Sequence, residues 1–193
     1  MSEPFPDFPK LYSPLVRKDG KTVQPYQVAE GFEWALQPGV SVYEKMDGTN
    51  VGVRFNERGE VDRIQNRKTL VWDAHDEPAT PMNGWQRRIF EAVMARYKQP
   101  GAPPGPPGEV LYGEAVGPKL NTNRHGLRAS LWVPFKQTIS LRYGVYHFET
   151  AENLVDFVRV APPLFCAGYV PEGVVLYGSE PWQIAKFRRD MIP

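Results

Sequence analysis

The sequence predicts an α+β protein of antiparallel sheets with flanking helices. Three observations carry that reading. Short segments alternating apolar and polar residues dominate the chain, as in Val51, Val53 and Phe55. Two segments carry helical spacing instead, one leading to Tyr97 and one in "AENLVDFVRV". The 193 residues suit one domain with or without a small appendage, and 41% hydrophobic with 12% aromatic residues is enough for a sizeable core. No internal repeat is present.

Residues 1–40, rich in proline and turn formers, read as an irregular lead-in packed on the core, with 41–193 as the main domain. "EWALQPGVSVYEKM" enters the first clear strand after the Pro38-Gly39 turn. "VGVRFNERGEVDRIQNRKTLVW" reads as two strands joined around Gly59, the second extending through Leu70 and Val71. "DAHDEPATP" is a solvated loop, despite Asp73, His75 and Asp76. Thr80 and Pro81 suit an N-cap and first-turn proline. Trp85, Ile89, Val93 and Tyr97 then make a core stripe. "KQPGAPPGPPGE" is a stiff connector, and no strand or Gly-Lys-Ser/Thr makes it a phosphate loop. "EVLYGEAVG" and "LRYGVYHFE" are strands, Thr150 caps a short helix, and "GYVPEGVVLYG" and "WQIAKFRRD" close the chain as strands.

A net charge of +1 announces no particular partner. Between Glu114 and Glu149, however, no acid occurs, while Lys119, Arg124, Arg128, Lys136 and Arg142 alternate with Trp132, Phe135, Tyr143 and Tyr146. Such a mixture is either an ordinary basic face or a surface for a phosphate backbone and stacked bases. Cys166, the single cysteine, excludes an internal disulfide and a Cys-rich zinc site; its apolar setting suggests a buried small hydrophobe. No hydrophobic signal core or membrane-spanning run is found, so a soluble, cytoplasmic location is expected (the host cytoplasm, if phage-encoded).

Several charged residues interrupt otherwise apolar strands: Lys45, Arg67, Glu114, Glu172, Lys186 and Arg188. Isolated charges are expensive to bury, so their recurrence suggests mutual pairing or a shared polyanionic ligand. A nucleoside triphosphate with a divalent metal would satisfy both signs. Lys45 itself sits where a strand gives way to Asp47-Gly48, which alone could be a hairpin turn.

"KMDGTN", Lys45 to Asn50, resembles motif I of the covalent nucleotidyltransferases, the superfamily of ATP-dependent DNA ligases, RNA ligases and mRNA capping enzymes. The later motifs follow in order: Arg67 in "QNRKT", "LYGE" ending at Glu114, "YHFE" with Phe148, "EGVV" from Glu172, and "AKFR" with Lys186 and Arg188. The Thr49-Asn50 pair is closer to RNA ligases, especially the phage type that seals nicks in duplex RNA. A nucleotidyltransferase (ATP-grasp-like ligase) catalytic domain is therefore expected, and with few residues after Asp190, no C-terminal OB-fold.

The resemblance implies roles. Lys45 would attack the α-phosphate of ATP and carry AMP, with Lys186 neutralising the phosphate and Arg188 assisting. Glu44, Asn50, Arg67, Glu114 and Phe148 would contact the nucleotide, Glu114 at the ribose and Phe148 stacked on adenine. Glu172, with Asp47 in support, would hold Mg2+ or Mn2+. From the acid-free basic stretch, rather than from the resemblance, Lys119, Arg124, Arg128 and Lys136 are expected to bind nucleic acid. The expected partner is RNA, as a nicked duplex or broken strand with a 5′-phosphate and a 3′-hydroxyl, bound by a monomer with or without a separate clamp protein. A minimal DNA ligase, a capping-type guanylyltransferase and a nucleotide- or RNA-binding module without turnover are the alternatives.

Overall fold

A computed structural model describes residues 4–75, 81–98, 104–135 and 138–193. In chain order the elements are β1 (Arg17–Lys18), β2 (Lys21–Thr22), β3 (Val40–Glu44), β4 (Thr49–Phe55), β5 (Val61–Asn66), β6 (Thr69–Asp73), α1 (Gly84–Tyr97), β7 (Val110–Val116), β8 (Leu131–Pro134), β9 (Arg142–Tyr146), α2 (Ala151–Val160), β10 (Gly173–Tyr177) and β11 (Ile184–Arg188). All strand pairings are antiparallel. The predicted α+β class is what the chain adopts. Its described residues form two units, Met1–Pro9 with Asp47–Thr138, and Lys10–Met46 with Ile139–Pro193.

The first unit holds a sheet in the order β6-β5-β4-β7-β8. Val51, Val53 and Phe55 put their side chains on one face, as period-two alternation requires, and there join Ile64, Ala115 and Trp132. Ile89, Ala92 and Val93 of α1 belong to the same core. The expected extension of the second strand is a separate strand: Arg67 and Lys68 form a tight turn and β6 folds back onto β5. β8, absent from the sequence reading, pairs with β7. The helix begins later than expected. Thr80 lies outside the described residues, and Pro81 precedes the helix. Asn83 is the N-cap, its side chain accepting from the Trp85 and Gln86 amides while Gln86 returns a bond to the Asn83 amide. Residues 5 and 6 cross the sheet face opposite α1, where the Phe5 carbonyl accepts from Gln65 Nε2 and the Pro6 carbonyl from the Tyr112 hydroxyl.

The second unit holds a sheet in the order β11-β10-β3-β9. Val40, Val42, Val174, Leu176, Ala185 and Phe187 share its core with Leu154, Val155 and Val158 of α2. Thr150 caps α2 as expected, accepting from the Asn153 amide. The lead-in is more ordered than its composition suggested. β1 and β2 form a hairpin whose turn, Asp19-Gly20, has positive φ at both positions (51° and 83°), the geometry matching strand twist. Among the described residues, no helix is long and apolar enough to cross a membrane.

Candidate functional site

Register decides which charged side chains share a face. In the second unit Val175 pairs with both Tyr43 and Lys186, and Gly173 with Arg188. Tyr43, Lys186 and Arg188 therefore lie on the sheet face opposite α2, and Lys45 follows Tyr43 on that side. The Lys45 amide donates to the Gly173 carbonyl at 2.9 Å, so the lysine continues alongside β10 after β3 ends. Its Nζ lies 2.6 Å from Glu172 Oε2, with both side chains largely buried. Arg188 approaches the other Glu172 oxygen at 3.6 Å and pairs with Asp190 at 3.0 Å. Arg188 Nε is buried without a hydrogen-bond partner among the described residues.

Lys45 and Arg188 thus share Glu172, with Arg188 also on Asp190, and Lys186 lies on the same face. Burial, then the charges of Lys45 and Arg188, hold the Lys186 ammonium below the ordinary lysine range, Glu172 pulling weakly the other way. No carboxylate forms an ion pair with Lys186 among the described residues. The face is positive and under-compensated, a setting for an anion.

Glu44 and Phe148 are elsewhere. Glu44 shares the parity of Val40 and Val42, so it points to the core side, 4% exposed. Its Oε2 accepts from the amides of Leu164 and Phe165, pinning the segment after α2. Burial raises its carboxyl, those two amides opposing. Phe148 is 4% exposed and packs on Tyr146 and Phe157. It is a core aromatic, so the expected adenine platform is not presented by this ring. Cys166 is half-buried rather than buried.

In the first unit Asn50 and Glu114 are cross-strand partners on the face away from α1. Asn66 Nδ2 donates to the Asn50 carbonyl at 2.5 Å, tying the Arg67 turn beside it. Arg67 is exposed, with a left-handed φ of 49° uncommon outside glycine. Gly48 is obligatory for packing, since a Cβ there would stand 2.6 Å from the Ala115 carbonyl oxygen.

Asp47 does not present a free carboxylate. It accepts from Asn121 Nδ2 and Thr122 Oγ1 and pairs with Arg124 at 3.0 Å, while its amide faces His125 Nε2 at 3.4 Å. Asp47 anchors the loop after β7 and is a poor metal contact. Arg124 is correspondingly committed to Asp47, whereas Lys119 and Arg128 of the same loop are exposed. Lys136 lies outside the described residues. Asn121, Thr122 and His125 escaped the sequence reading because nothing local links them to Asp47.

No group of three His, Cys, Asp or Glu residues that could hold a metal occurs among the described residues. Glu172 is the carboxylate against Lys45, paired with it and with Arg188, and a hydrated Mg2+ or Mn2+ takes few protein ligands and completes its shell with water and phosphate.

A family model described as RNA ligase matches residues 39–183. Comparison with curated protein sequences gives no match. Among solved structures, an apo point mutant of Naegleria gruberi RNA ligase aligns with a TM-score of 0.56 at 15% identity, covering 97% of this chain and 58% of that one. Another mutant of that ligase, with ATP and Mn, gives 0.55 at 14% identity over 98% and 60% of the two chains. A third, with AMP and Mn, gives 0.56 at 15% identity over 95% and 58%. At these identities the likeness is one of fold, and this chain spans less than two thirds of the ligase it matches.

Proposed function

The chain belongs to the RNA ligase family, and on that premise we propose that it joins RNA strands through a lysyl-AMP intermediate on Lys45. The observation that carries the reading is the pairing of Lys45 and Arg188 with Glu172 on the sheet face that also carries Lys186. The Lys45 ammonium first loses a proton to solvent, the neutral amine attacks the α-phosphorus of ATP, and a second N–H proton leaves to solvent as the phosphoramidate forms. An N–P bond forms, the bond between the α-phosphorus and its bridging oxygen breaks, and pyrophosphate leaves with the electron pair. Lys186 and Arg188 oppose the negative charge that builds on the α-phosphate oxygens. Glu172, which orients the amine in the free protein, would hold a divalent ion whose chemistry is charge neutralisation on the phosphates. AMP then passes to a 5′-phosphate, and a 3′-hydroxyl displaces it to close the strand.

Incubation with labelled ATP or GTP and a divalent metal tests this. An acid-labile, alkali-stable adduct from ATP, the behaviour of a P–N bond, is expected, absent in Lys45→Ala and in Lys45→Arg, whose guanidinium is effectively never neutral. Labelling by GTP alone would point to capping chemistry. Adenylylation of either variant at the wild-type rate would remove Lys45 as nucleophile.

A further inference from the structure

Glu44 and Phe148, both expected at the nucleotide, are buried on the α2 side of their sheet. The base therefore has to be met by other side chains, and the face that carries Lys45 offers them. Tyr43 and Ser41 precede Lys45 by two and four residues and share its side, roughly 7 and 14 Å along the chain at about 3.4 Å per residue. A nucleotide whose α-phosphate meets Lys45 has its base within that span.

β9 adds a further side chain through an irregularity. Gly144 pairs with Val42 but Tyr43 pairs with Arg142, so Tyr143 is an extra residue in β9. The Tyr143 ring turns to α2, 5.4 Å from Phe157. In unbroken register Tyr143 would pair with Tyr43, and Arg142 would join Glu44 on the core side. The bulge thus re-aims Arg142 onto the face of Tyr43, a recurring use of bulges beside functional sites. Its Nη2 donates to Ser41 Oγ at 2.9 Å, which fixes the side. Arg142 is half-buried, no carboxylate pairs with it among the described residues, and its Nε is buried without a hydrogen-bond partner there. Such a guanidinium is costly unless a ligand supplies acceptors. Register completes the picture. Lys186, Val175, Tyr43 and Arg142 form one row across all four strands, with a cation at each end and an uncharged floor between.

We propose that Tyr43 and Arg142 hold the adenine of ATP, the Tyr43 ring as its platform and Arg142 as a donor to its ring nitrogens. The inference rests on the ligase reading above. Tyr177 packs edge-to-face on Tyr43, with centroids 5.4 Å apart and planes at 84°, and so fixes the ring. Ser41 holds one arm of the guanidinium and leaves the rest of its donors for the base. A purine edge carries acceptors but no net charge. Arg142 therefore acts through the direction of its N–H groups, whereas Lys45, Lys186 and Arg188 meet phosphate.

The test separates base from phosphate. Full-length Lys45→Ala, which cannot react, is titrated by calorimetry with ATP and with inorganic tripolyphosphate in the presence of Mg2+. Adding Arg142→Ala should weaken ATP binding about tenfold, the scale of one lost charged hydrogen-bonding partner, and leave tripolyphosphate binding within twofold. Arg142→Lys keeps the charge but loses the planar fork, and should lose ATP affinity in the same direction. Tyr43→Ala should cost about tenfold for ATP alone, with Tyr43→Phe near the parent. Arg159→Ala, on α2 across the sheet, should change neither ligand. In the otherwise wild-type protein, the ATP concentration that half-saturates adduct formation should rise by the same factors. Circular dichroism checks that each variant folds. Equal loss of ATP and tripolyphosphate in Arg142→Ala would make it a phosphate contact and overturn the inference, as would full rescue by Arg142→Lys or unchanged ATP affinity in folded variants. A wild-type protein that forms no adduct, with a Lys45→Ala parent that binds neither ligand, would overturn the ligase reading and this inference with it.

Discussion

Gly173→Ala should damage stability and chemistry together, and the structure says how. Gly173 opens β10, follows Glu172, pairs with Arg188 and accepts the Lys45 amide bond. A Cβ at this position would stand 2.1 Å from the Phe187 carbonyl oxygen, 2.6 Å from Arg188 Cα and 2.9 Å from the Phe187 carbonyl carbon. All three are backbone atoms, so no side-chain rotation relieves the overlap. Ordinary contact requires β10 and β11 to separate by roughly 1 Å, since carbon contacts are comfortable only at about 3.5–4 Å. Overpacking of this kind costs about 1–3 kcal/mol. For a chain of this size each kcal/mol lowers Tm by roughly 2–4 °C, giving a fall of about 2–12 °C.

The same displacement moves Lys186 and Arg188 of β11 away from Glu172 and Lys45, which stay together alongside β10. A misplacement of about 1 Å at reacting groups costs on the order of a hundredfold in rate. Thermal unfolding followed by circular dichroism reads the first effect, and single-turnover adenylylation with labelled ATP the second. Gly84→Ala is the control, because a Cβ at the first residue of α1 meets nothing within 4 Å. It should leave Tm and rate at or slightly above wild type. A Gly173→Ala protein that melts and adenylylates like wild type would refute the argument that this close approach sets the strand spacing beneath the lysine.

Charge reversal at Lys119 and Arg128 should spare Lys45 adenylylation and weaken transfer to RNA. The log affinity against log salt slope should flatten by roughly 0.7–0.9 per lost phosphate contact, and equal loss of both steps would place these cations at ATP instead. Glu44→Gln should hold or raise stability at neutral pH. The folded-state carboxyl is raised, so its ionisation penalises the fold as pH climbs through the unfolded and then the folded value. The variant's advantage should vanish as pH falls below about 4.5, the ordinary glutamate region, and denaturant melts across pH that show the opposite trend would sink the sign. Glu44→Ala, which strands the Leu164 and Phe165 amides, should instead cost about 1–3 kcal/mol. Lys186 loses its charge at lower pH than an ordinary lysine, so adenylylation should begin to fall early on the alkaline side. Lys186→Arg should move that fall upward, and an unmoved alkaline limb would assign it to another group.

Much of this organisation was legible because period-two alternation needs only neighbours in sequence. Val51, Val53 and Phe55 identified a strand and its buried face before any partner strand was known. The same rule, applied one strand earlier, would have put Glu44 in the core with Val40 and Val42, since the three share parity. The Asn83 cap was also present as a local signal, an asparagine three residues before Gln86. So was the Asp19-Gly20 turn, obscured by the proline-rich composition around it.

What the sequence withheld is register, and Phe148 shows how much hangs on it. Alternation alone says that Phe148 and Tyr146 project to one side of the extended chain, but not which side. The pairing of Tyr146 with Val40 settles that, because Val40 is a core residue. A motif match reads residue order and cannot see this pairing, so it offered the aromatic of "YHFE" as a ligand platform although the ring closes the core over α2. Asp47 fails for a related reason: its partners lie 74 and 75 residues away and no local pattern announces them. The surroundings of Lys45 are set by register as well. Tyr43 pairs with Val175, Val175 with Lys186, and Gly173 with Arg188. Those pairings turn a list of charged residues in strands into cations beside Lys45 on one face, and a substitution that shifts the register by a single residue would disperse them.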